Sequence, residues 1–178
     1  MYDNLCRYRC GGSLYGADVM TKTNAERMLE KAKIYFRAFN YEYDENDLSG
    51  VHAAENLGIN PCEFFKTLVL KGAKNGYFVC CIPVDKELDI KKAAKAFGDK
   101  SAEMLHVKDL PGITGYIRGG CSPVGMKKQF ATFFDESIEN LENIFVSGGM
   151  RGLAIEINKN DLLAFTRGRV TRLIRTTP

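Results

Sequence analysis

No stretch of this sequence approaches the roughly 18 consecutive apolar residues that a membrane-spanning helix needs, so neither a helical span nor a membrane partner is expected. The first twenty residues carry Cys, Arg, Asp and Gly where a signal peptide would carry an apolar core, and a cytoplasmic protein is expected. Histidine is scarce. His52 falls in a helical stretch and His106 near a turn, and neither joins a Ser-His-Asp or Cys-His set of the kind that nucleophilic catalysis uses. The six cysteines form no regular framework. Cys80 and Cys81 are adjacent in an apolar run, where neighbouring side chains point to opposite faces and are poorly placed to pair. Cys6-x3-Cys10 lacks the further ligands of a tetrahedral zinc site. Reduced, mostly buried thiols are expected, with no metal and no other cofactor.

What is present reads as one ordinary domain. The chain has 178 residues, 45% of them apolar and 26% charged, which is enough to bury a real core. The net charge of +3 is too small for a nucleic-acid-binding tail, but its cations are clustered. Lys91, Lys92, Lys95 and Lys100 form one group, Lys127 and Lys128 a second, and Arg167, Arg169, Arg172 and Arg175 a third. Such groups are compatible with a solvated face or with the phosphates of an RNA.

Residues 1–20 lack periodicity and contain Gly11-Gly12-Ser13, so they read as a flexible extension before a domain spanning 21–178. Thr23-Asn24-Ala25-Glu26 is a capping box, which predicts a helix over about 23–33, followed by an aromatic strand over 34–41. Ser49 and Gly58 bracket a short helix; Asn60-Pro61 suggests another helix start. The run 64–71, the Asn75-Gly76 turn and the run 77–82 predict an antiparallel hairpin. Asp89 and Gly98 bracket a basic helix. A short strand near 102–105 and a Pro-Gly turn at 111–112 follow, then strands over 130–134, 144–147 and 153–157. Asn158 caps a further helix, and 170–175 reads as a last strand. No internal repeat is visible. Helices and strands mix without β-α-β alternation, so the expected class is α+β, built on one mixed, strongly curved sheet with flanking helices.

Two features carry chemistry. Lys66 shares a strand face with Phe64, Leu68 and Leu70, and both faces of that strand look covered, so its ammonium must snorkel, meet an anion or line a cavity. The second feature is Gly119-Gly120-Cys121-Ser122-Pro123-Val124-Gly125, whose paired glycines allow close approach to the backbone. Ser147-Gly148-Gly149-Met150-Arg151-Gly152 repeats the device. Exposed amides in such loops can hold a carbonyl or a developing oxyanion, although either loop can equally be a simple tight turn. Neither is a Walker loop or a dinucleotide fingerprint.

The motifs Lys66-Thr67-Leu68, Gly119-Gly120-x-Ser122-Pro123-x-Gly125 with Lys127-Lys128, and Val146-Ser147-Gly148-Gly149-x-Arg151-Gly152-Leu153 occur in an order that resembles the YbaK family. These are bacterial Cys-tRNA(Pro) deacylases, relatives of the editing domain inserted in bacterial prolyl-tRNA synthetases. The resemblance covers about residues 21–175. It implies a trans-editing enzyme that acts on aminoacyl-tRNA, Cys-tRNA(Pro) above all, in partnership with prolyl-tRNA synthetase. It implies that Lys66 holds the tRNA end and orients the ester, with Gly119 as the second catalytic position. Tyr41, Gly120, Ser122, Ser147 and Gly148 are the candidate substrate contacts. It further implies a reaction without a protein nucleophile, in which the substrate thiol attacks its own ester and leaves as a thiolactone. Editing of another misacylated tRNA, such as Ala-tRNA(Pro), and tRNA or synthetase binding without turnover are the alternatives. One position departs from the family pattern: Ala154 stands where many members carry an acid, and Glu156 on the same strand face is not an obvious replacement.

Overall fold

In the computed structural model, which describes residues 21–176, the first helix begins as its capping box predicts. The Thr23 side chain accepts from Glu26 N at 3.2 Å, and Glu26 Oε2 accepts from Thr23 N at 2.8 Å. This helix, α1, spans Asn24–Lys31 and buries Ala25 and Leu29. β1 (Phe36–Asn40) follows, and α2 (Gly50–Leu57) runs from the Ser49 cap to Gly58. Asn60–Glu63 closes as a turn rather than a helix, because the chain enters β2 (Phe65–Gly72) directly. β3 (Gly76–Pro83) returns antiparallel with Phe65 opposite Pro83, and Ala73–Asn75 form the loop.

α3 (Ile90–Phe97) is capped by Asp89, whose Oδ1 accepts from Lys91 N and Lys92 N. β4 (Ala102–Met104) pairs with the far end of β2. The expected Pro-Gly turn is instead the start of a short helix, α4 (Leu110–Thr114). Pro111 stands in its first turn, where its missing N–H costs nothing. β5 (Ala131–Asp135), β6 (Asn143–Ser147), β7 (Leu153–Asn158), α5 (Lys159–Thr166) and β8 (Arg169–Thr171) complete the domain.

The α+β class holds, but the single expected sheet is divided in two. One sheet has the order β1-β7-β6, all antiparallel, and the other has the order β4-β2-β3-β5-β8, with β5 parallel to both β3 and β8. Among the described residues one isolated bridge links them, where Phe64, just before β2, meets Phe145 of β6. Beyond it the two strands part. The division follows from β2, whose outer edge is shared: β6 meets its beginning and β4 its end.

The period-2 pattern of the central hairpin sorts its side chains onto two cores. Phe65, Val69, Val79 and Cys81 join Leu29, Phe134, Ile144, Ile155 and Leu162 in the larger cluster. Leu70, Phe78, Cys80 and Ile82 face the other way, with Ala93 and Leu173. Cys80 and Cys81 thus lie on opposite faces, both fully buried and free. Cys62 is exposed, while Cys6 and Cys10, like the whole expected extension, fall outside the described residues. No described helix is long and apolar enough to cross a membrane, and no His, Cys, Asp and Glu cluster suited to a metal occurs among the described residues.

Candidate active site

Where β2 and β6 part, the fold leaves a cavity of about 550 Å³. Lys66 enters it from β2, and its Nζ donates to the Val84 carbonyl at 3.1 Å. Burial pulls the ammonium pKa below its usual value, while the charges of Asp85 and Glu87 oppose that shift. Of the options open to a lysine between two covered faces, the structure takes the cavity wall.

Three other expected residues reach the same cavity. Tyr41 follows the end of β1, and its hydroxyl is raised in pKa, mainly by burial and against a backbone hydrogen bond from Gly152. Ser147 ends β6, with Oγ accepting from Gly149 N at 3.3 Å. Gly119 adopts φ +85°, a left-handed conformation that a side chain would strain, and its N–H has no hydrogen-bond partner among the described residues. Tyr41, Lys66, Gly119 and Ser147 come from four separate elements and converge only in the fold.

Gly120, Ser122 and Gly148 do not line the cavity. A Cβ on Gly120 would lie 3.0 Å from the Met150 backbone, so this glycine lets the two glycine-rich loops touch. Ser122 is fully buried and accepts from Val124 N at 3.2 Å, closing its own turn. The Gly148 carbonyl accepts from Thr23 Oγ1 at 2.6 Å, tying the loop after Ser147 to α1. These positions shape the loops that carry Gly119 and Ser147.

Several lining residues were assigned no role from the sequence. Arg118 stands beside Gly119, exposed and without an ion-pair partner among the described residues. Arg151 Nε donates to the Arg118 carbonyl at 3.0 Å, and its NH1 lies 3.4 Å from Glu45, which pins the two loops together. His52, which joins no catalytic set in the sequence, also lines the cavity, with Nδ1 3.9 Å from Asp47 and Nε2 3.2 Å from Asn56. The Cys121 thiol is pushed up to about 12 by burial. Ser49 Oγ accepts from His52 N at 3.3 Å as the α2 cap, but no hydroxyl or thiol of the lining hydrogen-bonds to the His52 ring among the described residues, so no nucleophile–base pair is assembled.

Ala154 is not at the cavity. It is fully buried against Ala53, Ala54, Phe64 and Val84, opposite Phe39 and Ser147 in the sheet. Glu156 pairs with Arg37 and accepts from Asn143 Nδ2, so its carboxylate serves the sheet.

Residues 48–165 match the aminoacyl-tRNA editing domain family, and that span contains Lys66, both glycine-rich loops and most of the cavity wall. The chain belongs to this family. The editing domain is 48% identical over 152 residues to the "Putative Cys-tRNA(Pro)/Cys-tRNA(Cys) deacylase EbsC" of Enterococcus faecalis, covering 85% of this chain and 93% of that one. It is 30% identical over 136 residues to the proline–tRNA ligase of Thermosipho africanus, covering 76% of this chain but 22% of the ligase. In fold it matches the crystal structure of "a putative trans-editing enzyme for prolyl tRNA synthetase" with a TM-score of 0.75 at 21% identity, over 88% of this chain and 99% of that one.

Proposed function

We propose that this editing domain deacylates Cys-tRNA(Pro), with Cys-tRNA(Cys) as a second substrate, and that the cysteine thiol performs the attack. The observation that carries the reading is a cavity with a partly buried lysine and an unpartnered Gly119 N–H on its wall, but no nucleophile–base pair. Such a site can hold and polarise an ester without attacking it. A thiol already attached to the substrate brings its own high effective concentration, so positioning and oxyanion stabilisation are what the protein must supply.

In this mechanism Lys66 holds the phosphate or ribose of the tRNA end, and the Gly119 N–H donates to the ester carbonyl oxygen. The substrate sulfur gives up its proton and bonds to the carbonyl carbon. The bond from that carbon to the ribose oxygen breaks, the oxygen takes a proton, and a four-membered thiolactone leaves the tRNA. Tyr41 and Ser147 complete the wall around the aminoacyl group. Kinship with the editing segment of proline–tRNA ligases supports prolyl-tRNA synthetase as the partner that delivers the tRNA.

The test is a panel of charged tRNAs, Cys-tRNA(Pro), Cys-tRNA(Cys) and Ala-tRNA(Pro), with wild type and Lys66→Ala. Release of cysteine through a thiolactone, inert Ala-tRNA(Pro), and a loss of about 100-fold or more in Lys66→Ala at unchanged fold are expected. Turnover of Ala-tRNA(Pro) would replace this reading with a hydrolytic one. Binding without release would replace it with a non-catalytic one.

A further inference from the structure

The register of the central hairpin determines which backbone groups face the cavity. Val84 N donates to the Phe64 carbonyl at 2.8 Å, so Phe64, Lys66 and Leu68 direct their backbone groups toward β3. The alternate residues direct theirs to the opposite edge. That edge is covered at both ends. The Glu63 carbonyl accepts from Phe145 N at 2.9 Å, and the Val69 carbonyl accepts from Leu105 N, also at 2.9 Å. Between these points no strand pairs with the edge among the described residues, and Thr67 has no ladder partner on that side. Thr67 is half-buried, is flanked by the buried Phe65 and Val69, and lines the cavity with both of them. An unpaired stretch of strand edge on the wall of a cavity is placed to pair with a ligand that carries matching donors and acceptors.

An α-amino ester has the matching pair. Opposite a strand residue it can present its ammonium to the carbonyl and its own carbonyl to the N–H, as a residue of an added strand does. Resting on the deacylase reading above, we propose that Thr67 binds the aminoacyl group of the substrate through its backbone. The Thr67 carbonyl accepts from the α-ammonium, and the Thr67 N–H donates to the ester carbonyl oxygen. The N–H is then a second oxyanion donor beside Gly119, and the two fix the carbonyl for attack from within the substrate. This grip reads only what all α-amino acids share. Discrimination between cysteine and alanine therefore falls to the thiol chemistry and not to this contact.

Three measurements test it. The first compares Cys-tRNA(Pro) with 3-mercaptopropionyl-tRNA(Pro), which keeps the thiol and the ester but lacks the ammonium. Each enzymatic rate is divided by its spontaneous one, and the ratio is expected to fall about tenfold or more, as for loss of a charged hydrogen bond. The second uses Thr67→Pro, which deletes an N–H that no ladder bond uses; a drop of about 100-fold in kcat at unchanged fold is expected. The third needs no turnover and covers a proline variant that fails to fold. Hydrogen exchange of the Thr67 amide in wild type is followed with 3′-cysteinylamido-3′-deoxyadenosine, an amide mimic of the charged tRNA end, and with its des-amino analogue. The amide is expected to slow with the first and less with the second. Equal relative rates for the two esters, or a Thr67 amide unchanged by a saturating concentration of the cysteinyl mimic, would overturn the proposal. If wild type fails to release cysteine from Cys-tRNA(Pro), the deacylase reading falls, and the exchange experiment still decides the role of the edge.

Discussion

At Lys66 the cavity sets a positive charge against a partly dehydrated wall, with a backbone carbonyl as its hydrogen-bond partner. Its lowered pKa means that the unfolded chain binds more protons than the folded one between the depressed value and the ordinary lysine value. This desolvation cost is present in full below that window and fades as pH rises through it. Lys66→Met is therefore expected to be inactive yet more stable than wild type at pH 7, with the gap narrowing toward pH 10 or so, in urea melts across that range. Ala154 obeys the opposite logic. The motifs marked it only as a departure from the family pattern; periodicity does not say what packs over a strand, and the structure covers this one with α2. Ala154→Asp buries a carboxyl among apolar groups, and a loss of about 3 kcal/mol or more is expected in denaturant melts. Unchanged stability with altered substrate choice would return this position to the site. The thiols follow burial as well. Cys80 and Cys121 are pushed up to about 12 and Cys81 well above the usual value. At pH 8, iodoacetamide should therefore label Cys62 within minutes and leave Cys80, Cys81 and Cys121 untouched in the native protein, as peptide mapping by mass spectrometry would read.

Capping residues made the helices legible, since Thr23, Ser49, Asp89 and Asn158 each accept the backbone N–H groups their positions require. The hairpin of β2 and β3 was equally plain, because its apolar periodicity and turn residues are local signals. The split of the sheet was not. It depends on the parallel approach of residues 64 and 145, 81 positions apart, and no local pattern encodes which strand abandons which. A second long-range contact hid the division of labour within the glycine-rich loops. Gly119 and Gly120 are adjacent and chemically identical, yet one faces the cavity and the other presses on Met150. Thr23 shows how an element end reaches the site: one hydroxyl caps α1 and also donates to the loop that follows Ser147. Thr23→Ala should cost about 1 kcal/mol as a lost cap. It should also speed amide exchange in residues 147–151, an effect that a cap isolated from the loop would not produce.

Across the whole molecule, the basic clusters are partly spent on the fold itself. Arg172 pairs with Glu136 and Arg175 with Glu87, Lys92 Nζ donates to the Ile174 carbonyl, and Arg169 lies over the Phe133 ring. Arg118 at the cavity and the exposed Lys91 and Lys95 on α3 remain without ion-pair partners among the described residues. In the proposed function Arg118 is, with Lys66, the cation nearest the acceptor end, and the net charge of +3 is too small for a broad basic surface over the body of a tRNA. Phosphate contacts carry no sequence information, so the proposed function expects little discrimination between tRNAs from the domain alone. KM values for Cys-tRNA(Pro) and Cys-tRNA(Cys) should accordingly agree within about threefold, since shared phosphate contacts dominate both. Both should rise about tenfold or less between 50 and 200 mM salt, as expected for roughly two neutralised phosphates. Adding prolyl-tRNA synthetase should lower KM for the proline tRNA alone. A strong preference for one tRNA without the synthetase, or a much steeper salt dependence, would show that the α3 lysines read the tRNA body, and substituting Lys91 and Lys95 would then remove it.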